Sequence, residues 1–134
     1  VSYLVDTNII SELCRPRPDP GVLAWAARVE RHSLSVITVE EICYGLARRS
    51  SERLRIGMEQ YFRSQAVLPV TETIARRAGE LRGEFAGRGI AREQADMLIA
   101  ATAQIHALTL VTCNTRDFEG CGIALLNPFG ISLP

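Results

Sequence analysis

Asp6 closes the short apolar run Tyr3-Leu4-Val5 and is followed at once by Thr7-Asn8. Such a run reads as a buried strand. A carboxylate at its C-terminal end points into the crevice where ligands bind in open α/β sheets. There it is poised for a hard metal ion, a phosphate-bearing substrate, or both. Comparable positions recur along the chain. Thr38-Val39-Glu40-Glu41 follows a second strand-like run, and Asn114-Thr115-Arg116-Asp117 follows a later one. Asp96 falls in the first turn of a strongly apolar helix. These groups are far apart in sequence, yet a fold that aligns the strand ends would gather them at one edge.

Carboxylates gathered without Lys, His or thiolate suit a hard divalent cation. Mg²⁺ takes oxygen ligands, keeps several waters and uses one or two carboxylates plus substrate phosphate oxygens. Without a cation, several carboxylates together repel and raise one another's pKa values. With one, a water can be polarised for attack on a phosphodiester; one ion or two would serve. Each residue also has a plainer reading. Asp6 could N-cap a helix starting near Asn8, as could Thr7 or Asn8 itself. Thr38 and Glu41 have capping-box spacing, and Glu40 competes with Glu41 for the inward position. Asp96 could serve the helix dipole, although an acid beside so apolar a segment is costly unless paired or metal-bound. Asp117 could cap a turn and Asn114 could form an Asx turn. Arg116 reads either as a phosphate contact or as a solvated side chain. What favours function is coincidence: acids or amides stand at the matching end of successive elements.

The elements that would position them alternate regularly. Strands are expected at Tyr3–Val5, Leu34–Ile37, Val67–Val70, Leu108–Thr112 and Ile123–Leu126. Helices are expected over 8–14, from Pro20 behind an Asp19 N-cap, from Thr38 to about Arg49, over 51–64, from a Thr71 cap to about Ala86, and over 93–107. Arg15-Pro16-Arg17-Pro18-Asp19-Pro20 reads as a rigid turn, and Gly87-Arg88-Gly89 as a helix stop. Strand–helix alternation of this kind predicts an α/β fold with a central parallel sheet of about five strands and helices on both faces.

With 134 residues, 47% hydrophobic and 22% charged, the chain fits one globular domain. It has no apolar run of the roughly 20 residues a membrane helix needs and no signal-peptide pattern, so the cytoplasm is the expected compartment. The missing initiator Met is compatible with a processed start. Cys14, Cys43, Cys113 and Cys121 form no C-x-x-C pair, and His32 and His106 are well separated, which argues against zinc. Net charge is zero, giving no global nucleic-acid footprint. All 15 basic residues are Arg. The absence of Lys removes P-loop NTPases, which also need a Gly-rich loop, and argues against aspartyl-phosphate phosphatases and receivers, which generally rely on a Lys.

In LVDTNIISEL (Leu4–Leu13), SVITVEEICYG (Ser35–Gly45), QADMLIAATAQIHALTLVTCNTRDF (Gln94–Phe118) and LLNPF (Leu125–Phe129), the chain resembles PIN-domain ribonucleases. The likeness is to the VapC-type toxins of toxin–antitoxin pairs, with the FitB-like branch closest, and it spans essentially the whole chain. It implies a single PIN domain over 1–134 and an endoribonuclease dependent on Mg²⁺ or Mn²⁺. It further implies a homodimer neutralised by a cognate antitoxin, with DNA met only through that antitoxin.

Carried over residue by residue, Asp6 matches the first acid of the family. Glu41 matches the second, four residues before Gly45 in T-x-x-E-x-x-x-G, and Asp96 matches the third. Asn114 stands where Asp is frequent, with Asp117 three residues on, so either could fill the fourth position. Thr112 matches a small hydroxyl residue able to orient a carboxylate, and Cys113 stands where Arg is frequent. On this reading Asp6 and Asp96 hold the metal, and Glu41 orients or deprotonates the attacking water or reaches the metal through water. Asn114 and Asp117 complete the rim. The alternative is a non-catalytic PIN domain that acts as an antitoxin-binding partner in a DNA-bound repressor complex. For an antitoxin segment, Trp25, Leu46, Met58, Tyr61 and Phe62 are candidate groove walls, with core packing as their other reading.

Overall fold

The computed structural model describes residues 2–49 and 51–130. Among them, five short strands form one parallel sheet: β1 (Tyr3–Val5), β2 (Ser33–Ser35), β3 (Ala66–Leu68), β4 (Thr109–Val111) and β5 (Leu125–Leu126). The spatial order is β3-β2-β1-β4-β5. Leu4 pairs with Ser33 on one side and Leu110 on the other, and Val5 pairs with Val111. From β1 the chain winds outward through β2 to β3, then returns to lay β4 on the opposite flank of β1. The β1/β4 junction is therefore the point where strand order reverses, the usual place for a ligand crevice in such sheets.

Side-chain alternation along the strands sorts the core into two layers. Leu4 and Leu110 face a layer completed by Ile74, Leu81 and Phe85 of α5 (Glu72–Gly87) and by Met97, Ala100 and Ala103 of α6 (Gln94–Ile105). Tyr3, Val5, Leu34 and Val111 face the other layer. That layer is filled by Ile9 and Ile10 of α1 (Thr7–Leu13), Val22 and Trp25 of α2 (Pro20–Arg28), and Met58 of α4 (Glu52–Ser64). Each of these large side chains contributes about 1.5–3 kcal/mol by leaving water. The third helix, α3 (Val36–Arg48), touches both layers, Ile37 packing on the first and Ile42 and Leu46 on the second.

The expected alternation and parallel sheet are present, and the main departure lies at β2. Val36 and Ile37, read as strand, instead open α3, because the Ser35 side chain accepts from the Ile37 amide at 3.0 Å and caps the helix there. Thr38 is thus buried inside the first turn and caps nothing, so the Thr38–Glu41 capping box does not form. Tertiary packing overrides the strand preference of the β-branched pair. β1 has the expected bounds; β3 starts one residue earlier and ends two earlier than expected, β4 is one residue shorter at each end, and β5 starts two residues later. Asp19 does cap α2, accepting from Gly21 and Val22, and Thr71 caps α5.

The passage from α6 to β4 matters because both carry site residues. Leu108 N donates to Ala103 O at 2.8 Å and Ala107 N to Gln104 O at 3.2 Å, closing the helix with a Schellman-type turn. Ala107 sits at φ 54° to make that turn, a conformation that glycine adopts more readily.

Candidate active site

Asp6 follows β1 directly, and its backbone N–H donates to Val111 O at 2.9 Å, extending the β1–β4 ladder by one step. Its side chain is 5% exposed. Oδ1 accepts from the Thr7 amide at 2.8 Å, so the residue does cap α1. Oδ2 accepts from the Thr112 hydroxyl at 2.8 Å and from the Asn8 amide nitrogen at 2.9 Å. Thr112, itself buried, takes its remaining bonds from the Asn114 N–H at 3.0 Å and Asn8 Nδ2 at 3.2 Å. Asn8 Oδ1 accepts from the Cys113 N–H at 3.0 Å. Asp6, Asn8 and Thr112 thereby stitch the ends of β1 and β4 together across the reversal point. Every donor to Asp6 is neutral. Burial pushes its carboxyl pKa up, the bonds from Thr112, Thr7 and Asn8 oppose that, and the charge of Asp117 adds to it.

Glu41 reaches the same region from the second turn of α3. Its Oε1 accepts from the Thr7 hydroxyl at 2.7 Å, across 34 residues of sequence. Glu40, its neighbour, is exposed. Asp96 stands in the first turn of α6, whose N-cap residue Glu93 makes no side-chain capping bond. Its carboxyl is pushed up to about 6, first by burial and then by the charges of Asp6, Asp117, Glu93 and Glu41. Asp117 lies inside a 3₁₀ turn, Thr115–Phe118, rather than capping one, and Asn114 forms no side-chain cap to it. Phe118 anchors this turn in the α5/α6 core, while Asp117 itself is exposed.

Asp6, Glu41, Asp96 and Asp117 therefore share one electrostatic environment. Asn114 differs: its side chain is exposed, accepts only a weak contact from the Cys113 thiol at 3.6 Å, and forms no bond to Asp6 among the described residues. Its tie to the site is through its backbone N–H. Arg116, in the same turn, is also exposed.

The donor chemistry fits a hard cation. The charges that bear on Asp6 and Asp96 are all negative. Among the described residues, the ion pairs lie elsewhere, at Arg15–Glu12, Arg76–Glu72, Arg77–Glu80 and Arg77–Glu84. Among the described residues, no three acidic, His or Cys side chains converge closely enough to cage a metal by themselves. An ion here would take few protein ligands and complete its shell with water and phosphate oxygens.

A groove of about 370 Å³ starts at Thr7 and Glu41 and runs between α1, α3 and α4 over Ile10, Ile42, Leu46 and Met58, with Arg15 and Arg49 on its rim. Leu46 and Met58 line this groove while also packing in the second layer, so both of their readings hold. Tyr61 lines an adjoining groove. Trp25, by contrast, is 3% exposed in the core beneath Tyr3, and Phe62 packs against the same layer.

Sequence reasoning left Thr7 and Asn8 as possible helix caps and gave neither a role toward Glu41 or Thr112. Their only sequence signal is position: polar residues able to donate, placed directly after the strand-end acid.

Comparison with known proteins agrees over nearly the full length. The PIN domain family profile matches residues 3–121. The chain is 34% identical over 135 residues to the VapC ribonuclease Y4jK of Sinorhizobium fredii, a match covering 94% of this chain and 96% of that protein. It is 35% identical to Toxin FitB of Neisseria gonorrhoeae, covering 94% and 97%. Among solved structures, a toxin–antitoxin complex from Klebsiella pneumoniae superposes with TM-score 0.77 at 30% identity, over 97% of this chain and all of that one.

Proposed function

The chain belongs to the PIN-domain family, and on that premise we propose that it is a metal-dependent endoribonuclease, the toxin of a toxin–antitoxin pair. The observation that carries the reading is that Asp6 and Glu41 are both bonded to Thr7 beside the β1/β4 reversal, while the charges that raise Asp6 and Asp96, those of Asp117 and Glu41 among them, include no cation. The ribonuclease and toxin names of relatives near 35% identity support the same reading.

Asp6 and Asp96 would hold Mg²⁺ or Mn²⁺. When bound, the ion lowers the pKa of a water and offsets charge on the phosphate. The chain's own groups do the rest. Thr112 and Asn8 fix the Asp6 carboxylate so that its direction does not change during the reaction. Thr7 holds one oxygen of Glu41, leaving the other to orient or accept a proton from the attacking water. Water adds to phosphorus, the P–O bond to the leaving oxygen breaks, and that oxygen takes a proton. Asp117 and Asn114 form the rim. Unpaired RNA fits an open crevice, because its bases can be splayed rather than read within a duplex.

The apolar groove that begins at Thr7 and Glu41 supports a cognate antitoxin as partner. An amphipathic segment could lie over Ile42, Leu46 and Met58 and place an Arg among the acids. DNA would then be met only through the antitoxin. The reading includes a homodimer of two-fold symmetry, acting in the cytoplasm; no helix among the described residues is long and apolar enough to cross a membrane. The non-catalytic alternative is not favoured, since it would leave idle an Asp6 held by Thr7, Asn8 and Thr112 and a Glu41 held by Thr7.

Induced expression in a bacterial host, followed by mapping of RNA 5′ ends, tests the proposal. Discrete new ends and arrested growth are expected for the natural chain and not for Asp6→Asn. The same ends in both strains would refute the assigned site, and growth arrest without new ends would refute the nuclease.

A further inference from the structure

We infer that Arg92 is a positioning residue that holds the Asp117 turn against the crevice, an assignment that rests on the nuclease reading only for its effect on cleavage. Its guanidinium donates from Nη1 to Asp117 O and from Nη2 to Glu119 O, the latter at 2.9 Å. One planar fork thus satisfies two carbonyls of the same turn. The guanidinium lies over the Phe85 ring, 4.2 Å from its centroid, and Phe85 is 3% exposed in the core. A buried aromatic face therefore fixes the fork before it meets the turn. The backbone beyond Glu119 rests on the same ring. Gly120 takes φ 81°, and a Cβ there would stand 3.4 Å from Phe85 Cζ.

The turn is otherwise held by backbone bonds at its two ends, Asn114 N–H to Thr112 Oγ1 at 3.0 Å and Cys121 N–H to Phe118 O at 3.2 Å, and by its own short ladder. It is four residues long, Asn114 supplies no side-chain cap, and its internal bonds include Asp117 N to Asn114 O at 3.0 Å and Glu119 N to Arg116 O at 3.4 Å. Phe118 pins one side by burial. Arg92 closes the other, and it does so four residues before Asp96 on the segment that leads into α6. Beside the burial of Phe118, Arg92 thereby ties the Asp117 turn to the segment that carries Asp96. Arg92 gives its hydrogens to carbonyls rather than to carboxylates, so it acts on position.

Arg88 provides the control. It also stacks on Phe85, at 4.7 Å, and makes no hydrogen bond to the turn among the described residues. Hydrogen exchange of the metal-free chain is the first readout. Arg92→Ala should speed exchange across residues 114–121 by about tenfold, the loss expected for a charge-assisted bond, with residues 94–105 unchanged. Arg88→Ala should not. The second readout is RNA cleavage at saturating Mg²⁺, where Arg92→Ala should lower kcat roughly tenfold at unchanged KM, with Arg92→Lys intermediate. Unchanged exchange in Arg92→Ala, or an equal rise in Arg88→Ala, overturns the positioning role. Faster exchange with no change in kcat overturns its effect on cleavage. Cleavage that survives Asp6→Asn would instead remove the nuclease reading and leave the exchange result standing.

Discussion

The crevice has two banks built on different principles. On the β1/β4 bank, Asp6 is buried and accepts three hydrogen bonds, and its partners Thr112 and Asn8 are bonded in turn to the backbone of Cys113 and Asn114. On the α6 bank, Asp96 is half-buried and Asp117 exposed, with no comparable set of side-chain bonds among the described residues. The first bank is fixed by a local network at a sheet edge. The second is fixed by helix packing and by the long reach of Arg92. A rigid acid facing adaptable ones suits an ion that must bind first and then admit a phosphate, because only one side has to be preorganised while the other closes on substrate.

The sharpest way to break that contrast is to neutralise one acid on each bank. Asp6→Asn and Asp96→Asn should each lower cleavage roughly a thousandfold, the loss of several kcal/mol of transition-state stabilisation. Asp117→Asn should cost no more than about tenfold and Asn114→Ala less, since rim groups are further from the reacting atoms. If the rim variants matched Asp6→Asn, the rim would belong to the centre of the site. Steady-state cleavage of one RNA at saturating Mg²⁺ ranks all four.

Thr112→Val comes next. It removes a donor from buried Asp6 and strands the Asn114 N–H, so about 1–3 kcal/mol of stability should be lost, with a ten- to hundredfold fall in activity. Denaturant melts and kinetics read the two effects separately. Glu41 depends on a single bond from Thr7, and Thr7→Val should lower cleavage by about tenfold at nearly unchanged stability.

The smallest effect separates the banks by pH. Asp96 is pushed up to about 6 from 3.8, and Asp6 is also raised. In the folded metal-free chain these groups hold protons that the unfolded chain releases near 3.8. Their stabilising contribution is therefore full below that value and is lost as pH rises through about 6, after which it is flat. The melting temperature in chelator should fall between about pH 4 and pH 6.5, and Asp96→Asn should flatten the slope. Added Mg²⁺ should raise the melting temperature more at the higher pH, because the cation competes with protons for the same oxygens.

How much of this could be seen in the sequence follows the same division. Asp6 was legible because an acid closes a strand-like run, and Asp96 because it opens an apolar helix; periodicity places both. Thr112 was legible only through the resemblance to PIN-domain ribonucleases, which matches it to a small hydroxyl residue able to orient a carboxylate. The start of α3 was not, since Val36 and Ile37 look like strand until the Ser35 hydroxyl caps them. A turn near Asp117 was one reading of the sequence, but its anchor was not legible. Arg92 meets Asp117 and Glu119 across 25 and 27 residues through backbone carbonyls, which every residue possesses, so no side-chain pattern marks the contact. Asn8 lies between: its position was noticed, yet its bond to the Cys113 amide spans 105 residues and depends on β4 lying beside β1.

The most direct test of the account is cleavage of a pool of structured RNAs by the purified chain, in Mg²⁺ or Mn²⁺ and in chelator, beside Asp6→Asn and Asp96→Asn. Cuts at a few unpaired sites, present only with metal and absent from both variants, are the predicted result. Cutting that persists in chelator or in either variant would contradict it.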